Sequence, residues 1–412
     1  MREGNVSEGI RKIEWARSRM EIIRRVGDRI KKDGGLSGVK VGMALHVEAK
    51  TAVLALILQD AGAIVRLASC NPMSTDDDVS AALMEEYGVD VYARKGESVD
   101  EYYANLNRVL DIRPNIIIDD GGDLAYLVHT KRKEIIQGLI GGCEETTTGV
   151  LRLRAMEKDG VLKIPVIDVN DASMKRMFDN RYGTGQSTID GIISATNLLM
   201  AGKCAVVAGY GWCGRGIAMR LRGMGARVVV TEVDEVKAME ALLDGFAVMP
   251  MHDAIKNADI VVTATGCRDV VREEHLMVAK DGCILCNAGH FNVEVSVEDL
   301  EKISVRKRKV REYVEEYVTK DGRKLYLIAE GRLLNLVVGQ GHPVEIMDMS
   351  FSIQALCADY LMAHREIPPG VHPVPSEIDR HVAKLALESR NVKIDRLTSE
   401  QLKYLSDWKA GT

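Results

Sequence analysis

The chain has 412 residues, 46% of them hydrophobic, which suffices for two or three domains with sizeable cores. A formal net charge of −5 argues against nucleic acid as a main partner, and no apolar run reaches the roughly 18 residues needed to span a membrane. The N-terminus is charged and amphipathic rather than a targeting segment, and the eight cysteines are scattered, so a soluble cytoplasmic protein without a disulfide framework is expected.

From Val39 to about Asn170 short apolar runs alternate with helical stretches. Val39–Leu45, Ala63–Ala68, Val89–Tyr92 and Asn115–Asp119 read as strands of a first doubly wound α/β domain. Polar residues crowd where these strands end: His46 after Leu45, then Asp119-Asp120-Gly-Gly-Asp123, then Glu144-Glu145-Thr146-Thr147-Thr148. One such group is ordinarily a satisfied structural residue. Several at successive strand ends converge on the crevice where open α/β sheets bind ligands. In Asn170–Asn180, Lys175 precedes Asp179 by four residues, so on a helix the two share a face. An i,i+4 ion pair is one reading; placement just before the second domain favours a lysine held as a base beside a group being oxidised.

The second domain begins near Ser187. Lys203–Ala208 runs into Gly209-Tyr-Gly211-Trp212-Cys213-Gly214, and Arg227–Glu232 follows after a helical stretch. Strand, tight turn, helix and second strand form a dinucleotide fingerprint, with Gly211 admitting a pyrophosphate and Gly214 allowing close helix–strand packing. Glu232 lies 21 residues beyond Gly211, where a carboxylate accepts from ribose hydroxyls and repels a 2′-phosphate, so NAD is favoured over NADP. Asp259–Thr263 and Gly282–Cys286 read as further parallel strands. Cys283 and Cys286 have metal-ligand spacing but no second pair, so they read as buried thiols and no metal site is expected. Arg306–Lys309 reads as a solvated basic face. Met347–Met362 is a long apolar helix, and Asp379–Trp408 a helical tail that docks on another subunit. The expected layout is a substrate-binding domain at 1–186 plus 341–378, an NAD-binding Rossmann domain at 187–340, and an oligomerisation tail at 379–412.

Asp119–Asp123, Glu144–Gly149, Phe178–Asn180, Ala205–Gly211, Thr265–Cys267, Cys286–Phe291, Glu330–Arg332, Asn335 and Gly341–Pro343 stand in the order and spacing of the S-adenosylhomocysteine hydrolases. The chain resembles that family over nearly its whole length. The resemblance implies a thioether hydrolase in which tightly held NAD transiently oxidises the ribose 3′-carbon, the 4′-proton is lost, homocysteine leaves C5′ and water adds. It implies Lys175 as base for the 3′-hydroxyl with Asp179 positioning it, Asp120 and His46 as the acid/base pair, and His290 close to the thioether. Glu145 is implied to hold the 2′-hydroxyl, with His342 near the nucleoside and the hinge. Thr146, Thr147, Thr148, Asn180, Glu232, Asn287 and Asn335 are implied to grip NAD. Gly209, Gly211, Trp212, Cys213, Gly214, Lys237, Thr265, Ala288, Gly289 and His290 complete the expected cofactor contacts, and a homotetramer is the expected assembly.

Three departures from the family stand out. Thr184 replaces the usual cysteine near the nicotinamide. The chain ends at Lys409–Thr412 without the lysine- and tyrosine-bearing tail of many members. After the first strand the family typically reads His-x-Thr-x-Glu-Thr, whereas here His46-Val-Glu48-Ala-Lys50-Thr51 changes both base-reading positions. Hypoxanthine carries an acceptor oxygen at C6 and a donor at N1, the reverse of adenine. Lys50 donating to the oxygen and Glu48 accepting from N1–H would suit it, so S-inosylhomocysteine is the expected substrate. A local Glu48–Lys50 ion pair at a helix start, with adenine read by backbone groups, is the alternative. A hydroxy-acid dehydrogenase would need neither the strand-end acids nor Lys175 and Asp179. A non-catalytic regulatory relative would tend to lack the active-site groups kept here.

Overall fold

The computed structural model describes residues 4–409. Six strands open a first sheet: β1 (Lys40–Ala44), β2 (Ile64–Ala68), β3 (Asp90–Tyr92), β4 (Ile116–Asp119), β5 (Gly141–Glu144) and β6 (Pro165–Asp168). Eight more form a second: β7 (Cys204–Ala208), β8 (Arg227–Thr231), β9 (Ala247–Val248), β10 (Ile260–Thr263), β11 (Ile284–Asn287), β12 (Ser304–Arg311), β13 (Val314–Thr319) and β14 (Lys324–Ile328). The chain then returns to the first sheet with β15 (Gly370–Pro373).

The first sheet runs β15-β6-β5-β4-β1-β2-β3, every pairing parallel. Its central strands are buried on both faces, which is why they are continuous apolar runs such as Ile116-Ile-Ile118. The second runs β12-β13-β14-β11-β10-β7-β8-β9, parallel except for β12 with β13 and β13 with β14. That antiparallel ribbon is absent from the expected strands. Arg306–Lys309 lies on β12, the sheet's edge, with its side chains exposed, where basic residues discourage edge-to-edge pairing.

Each sheet has one topological switch point, where successive connections depart in opposite directions and leave a crevice beyond the strand ends. In the first sheet it lies between β1 and β4, above His46 and Asp120; in the second it lies between β7 and β10, above Gly209–Gly211 and Thr265. Two segments join the sheets: Arg176–Gly183, wound as a π-helix, continues into helix Thr184–Thr196, and residues 338–343 lead back into helix Val344–Ala363. A Cβ on Gly183 would lie 3.0 Å from the His342 ring, so the two crossings run side by side.

Helix Ser376–Ser389 buries Ile378, Val382, Leu385 and Ala386 in the same apolar cluster as Ile116 and Ile118. The boundary expected at 379 therefore falls inside an element that packs on helices Glu21–Asp33 and Val344–Ala363 of the first domain. Within the described part of the tail, helix Ser399–Ser406 stands away from that domain, with every residue exposed. The expectation about the chain's end falls partly on Ala410–Thr412, outside the described residues. Cys283 and Cys286 are buried in separate clusters, so the spacing that resembles a metal pair splits them between environments. Among the described residues no helix is long and apolar enough to cross a membrane.

Candidate active site

A cavity of about 1490 Å³ lies between the strand ends of the two sheets. At one end, His46 Nε2 is 3.2 Å from Asp120 Oδ2, and its Nδ1 is 2.7 Å from Ser74 Oγ. His290 reaches across from beyond β11 to place Nδ1 3.6 Å from Asp120 Oδ1. Cys70 Sγ, 3.3 Å from His46 Nδ1 and 3.6 Å from Asp120 Oδ2, closes the group. Burial pushes His46 down to about 4, against the pull of the Asp120 carboxylate and with help from His290 and His342, so its imidazole is neutral near pH 7. His46, Asp120 and His290 offer ligand atoms within 4.8 Å of one another, a spacing a cation could use.

A second part of the cavity is organised around buried Lys175. Its Nζ lies 3.3 Å from Asp179 Oδ1 and 3.6 Å from Glu145 Oε1, and donates to Asn180 Oδ1 at 2.8 Å. Burial alone would lower the lysine's pKa, but Asp179, Glu145 and Asp120 outweigh it and hold the ammonium above its ordinary range. Burial likewise opposes ionisation of Asp179, yet Lys175 and His342 keep its carboxyl below the usual range. The pair thus holds charge although both side chains are buried. Glu145 is fixed from behind by Ser350 Oγ at 2.6 Å and Gln354 Nε2 at 2.5 Å. His342 links this end to the domain crossing: Nδ1 is 3.3 Å from Asp179 Oδ1, and Nε2 is 3.3 Å from both Thr184 Oγ1 and Asn335 Nδ2.

Glu48, Lys50 and Thr51 form the far wall. Glu48 caps helix Ala49–Asp60, accepting from Lys50 N at 3.0 Å, Thr51 N at 3.1 Å and Thr51 Oγ1 at 3.3 Å. Lys50 Nζ sits 2.6 Å from Glu48 Oε2 and donates to Gln340 O at 2.8 Å. A carboxylate offers about four acceptor positions, and these contacts occupy them. The expected role of Glu48 as acceptor for a purine N1–H is therefore corrected: helix capping and Lys50 have already claimed its lone pairs. Lys50 keeps one N–H.

On the second sheet, Gly209 adopts φ +94°, and a Cβ there would lie 2.7 Å from Ala264 O. A Cβ on Gly214 would lie 1.9 Å from Gly209 O, the close packing expected of that glycine. A Cβ on Gly211 would meet nothing within 4 Å. The protein's own packing thus does not demand glycine at 211, whereas a ligand passing over the turn would. Glu232 closes the turn from the next strand, accepting from Tyr210 N at 2.6 Å. Thr146, Thr147, Thr148, Asn180, Trp212, Cys213, Lys237, Thr265, Ala288, Gly289 and Asn335 also line the cavity. Buried Thr148 Oγ1 and Asn335 Oδ1 have no hydrogen-bond partner. A glycine cradle with open space above it and unpartnered polar atoms in the walls fits a dinucleotide. Asn287 does not line the cavity; its amide holds the turn behind the wall by donating to the carbonyls of Gly289, Phe291 and Gly331. Where Thr184 stands in place of a cysteine, Cys213 Sγ lies 3.7 Å from its hydroxyl, so a thiol reaches that position from the opposite wall.

Residues 4–139 match the family model described as S-adenosyl-L-homocysteine hydrolase, and residues 180–341 match that of its NAD binding domain. The adenosylhomocysteinase of Archaeoglobus fulgidus is 58% identical over 406 residues, covering 98% of this chain and 100% of that protein. That of Thermoplasma acidophilum is 56% identical over 407 residues, covering 98% and 99%. The S-inosyl-L-homocysteine hydrolase of Methanocaldococcus jannaschii is 54% identical over 406 residues, covering 98% and 97%. With its cavity, its glycine cradle and these matches, the chain belongs to the S-adenosyl-L-homocysteine hydrolase family: it is an NAD-dependent hydrolase acting on a thioether bond.

Proposed function

We propose that the chain hydrolyses S-inosyl-L-homocysteine to L-homocysteine and inosine, as a cytoplasmic homotetramer. The observation carrying the substrate is the wall at Glu48 and Lys50, which offers one spare N–H and no free carboxylate. A 6-oxo purine can accept from Lys50, whereas an adenine amino group would turn a donor toward a donor, costing about 1–3 kcal/mol or up to roughly a hundredfold in kcat/KM.

Bound NAD supplies a reversible two-electron oxidation at the ribose 3′-carbon. Lys175, once neutral, takes the 3′-hydroxyl proton; Asp179 and Asn180 aim its amine, and Glu145, braced by Ser350 and Gln354, holds the 2′-hydroxyl. The neutral imidazole of His46 beside Asp120 can accept the 4′-proton and return it to the departing homocysteine sulfur. The same groups, working in reverse, deliver the elements of water to C4′ and C5′. His290, closing against Asp120 from the other sheet, limits water at this end. Thr146–Thr148, Glu232, Thr265 and Asn335 would hold the dinucleotide. Exposed Leu402, Leu405 and Trp408 around helix Ser399–Ser406 support contacts between subunits.

The specific observation favouring S-adenosyl-L-homocysteine is that Glu48 and Lys50 neutralise each other, while the backbone carbonyl of Gln340, which accepts one bond from Lys50, keeps a second lone pair for an adenine amino group. Relatives of similar identity carry both names. Measuring kcat/KM for the two thioethers on purified holoenzyme decides it: a preference of tenfold or more for the inosyl compound is expected, and equal values or an adenosyl preference overturn the assignment.

A further inference from the structure

The mechanism leaves one buried acid beside the cofactor cleft without a role. Glu294, in the loop after β11, is 1% exposed. Its Oε2 accepts from Thr265 N at 2.9 Å and from Thr265 Oγ1 at 2.7 Å; its Oε1 accepts from Gly266 N at 2.8 Å. Every one of these partners is a donor, which an acceptor-only carboxylate satisfies and a hydrocarbon cannot. Burial pushes its carboxyl up, and the Thr265 and Gly266 donors oppose that rise.

The carboxylate also touches a second turn. A Cβ on Gly289 would lie 1.9 Å from Glu294 Oε1, so Glu294 is wedged between the turn following β10, which carries Thr265 and Gly266, and the turn following β11, which carries Gly289 and His290. Both turns line the cavity. They come from neighbouring strands whose pairing ends at Thr263 and Asn287. Beyond that point the sheet's own hydrogen bonds no longer hold them together, and Glu294 fills the gap.

We propose that Glu294 is a positioning residue for NAD: it fastens the turn after β10 to the turn after β11, so that Thr265–Gly266 and Gly289–His290 form a single cofactor-binding wall. It acts through hydrogen bonds and shape. Its removal takes from Thr265 N and Gly266 N their side-chain acceptor and frees both turns.

The test is titration of apoprotein with NAD, read by calorimetry and by NAD-induced rise in Tm, with hydrogen exchange at residues 265–267 and 289–290. E294A should raise the NAD Kd at least about tenfold, as loss of well-made bonds to a charged group predicts, and should speed exchange in both turns. E294Q should stay within about threefold, because an amide oxygen in the place of Oε1 lies 2.8 Å from Gly266 N and 3.2 Å from Thr265 N and can accept from both, while its NH2 donates to the Thr265 hydroxyl, which is free to rotate. If E294A does not fold, G289A supplies the same test by driving a methyl group into the carboxylate, and should likewise raise the NAD Kd and speed exchange at 265–267. A wild-type NAD Kd in E294A, or in G289A where E294A does not fold, overturns the proposal. So does loosening confined to one turn.

Discussion

Replacing Glu145 by glutamine removes one negative charge from beside Lys175 while keeping its shape. Glu145 Oε1 lies 3.6 Å from Lys175 Nζ, and two unit charges at that distance in an effective dielectric of about 20 interact by about 5 kcal/mol, equivalent to more than 3 pKa units. Burial holds the Glu145 carboxyl partly toward its neutral form, opposed by Lys175, so only part of that interaction is lost. The Lys175 pKa should fall by about 1–3 units, since removing an anion beside a cation disfavours the charged form. A base works only when neutral, so the rising limb of the kcat/KM profile should move to lower pH by the same amount. Gln354 Oε1 has no partner; its amide can turn to accept from the new NH2, and the Tm should stay within a few degrees. The assay is kcat/KM for E145Q and wild type between pH 5 and 10. A limb that stays in place or moves to higher pH would refute Lys175 as the titrating base.

Three further outcomes follow from the same geometry. G214A should destabilise the apoprotein by about 1–3 kcal/mol, as overpacking does, because its methyl would meet Gly209 O; G211A should leave apoprotein Tm unchanged yet weaken NAD binding, and unchanged binding would mean that no ligand passes over that turn. Histidine NMR should show His46 neutral down to about pH 5, given its pKa of about 4, with D120N lowering it further; a midpoint near 6.5 would remove burial as the cause. Asp119 is pushed up to about 7, by burial first and then by Asp123 and Asp120, against Ala125 N–H and Arg152. The stability it contributes is therefore full below about pH 4 and is lost as pH rises through about 7. Urea unfolding of D119N should show a flatter stability profile across that window, and an unchanged slope would contradict the assignment.

The parallel strands are legible in the sequence because burial on both faces leaves uninterrupted apolar runs at Ile116–Ile118 and Val206–Val207. The ribbon β12–β14 is not, because Arg306–Lys309 carries no apolar stripe and its pairing depends on strands that follow it. Site residues at strand ends are local features and can be read. Their supports are not: Ser350 and Gln354 reach Glu145 across more than 200 residues. A trace exists in their i,i+4 spacing on the mostly apolar helix Val344–Ala363. Glu48 marks a different limit. Its residue type fits both a purine reader and a helix cap, and the cap prevails because the N–H groups of Lys50 and Thr51 would otherwise be left unpaired beside a carboxylate already in place.

His46 and Lys175 show that one cavity can hold opposite protonation states by the same force. Burial disfavours the charged form of both. At His46 a single carboxylate opposes it, with His290 and His342 adding positive neighbours, and the imidazole stays neutral. At Lys175 two carboxylates within 3.6 Å overturn it, and the ammonium persists. On the proposed roles, the proton acceptor for the 4′-carbon would thus be ready before substrate arrives. The base proposed for the 3′-hydroxyl, still an ammonium, would not be. On the proposed mechanism, the ribose 2′- and 3′-hydroxyls would compete for Glu145 and Asp179, loosen the anions' hold on Lys175 and so tie oxidation to a correctly seated sugar.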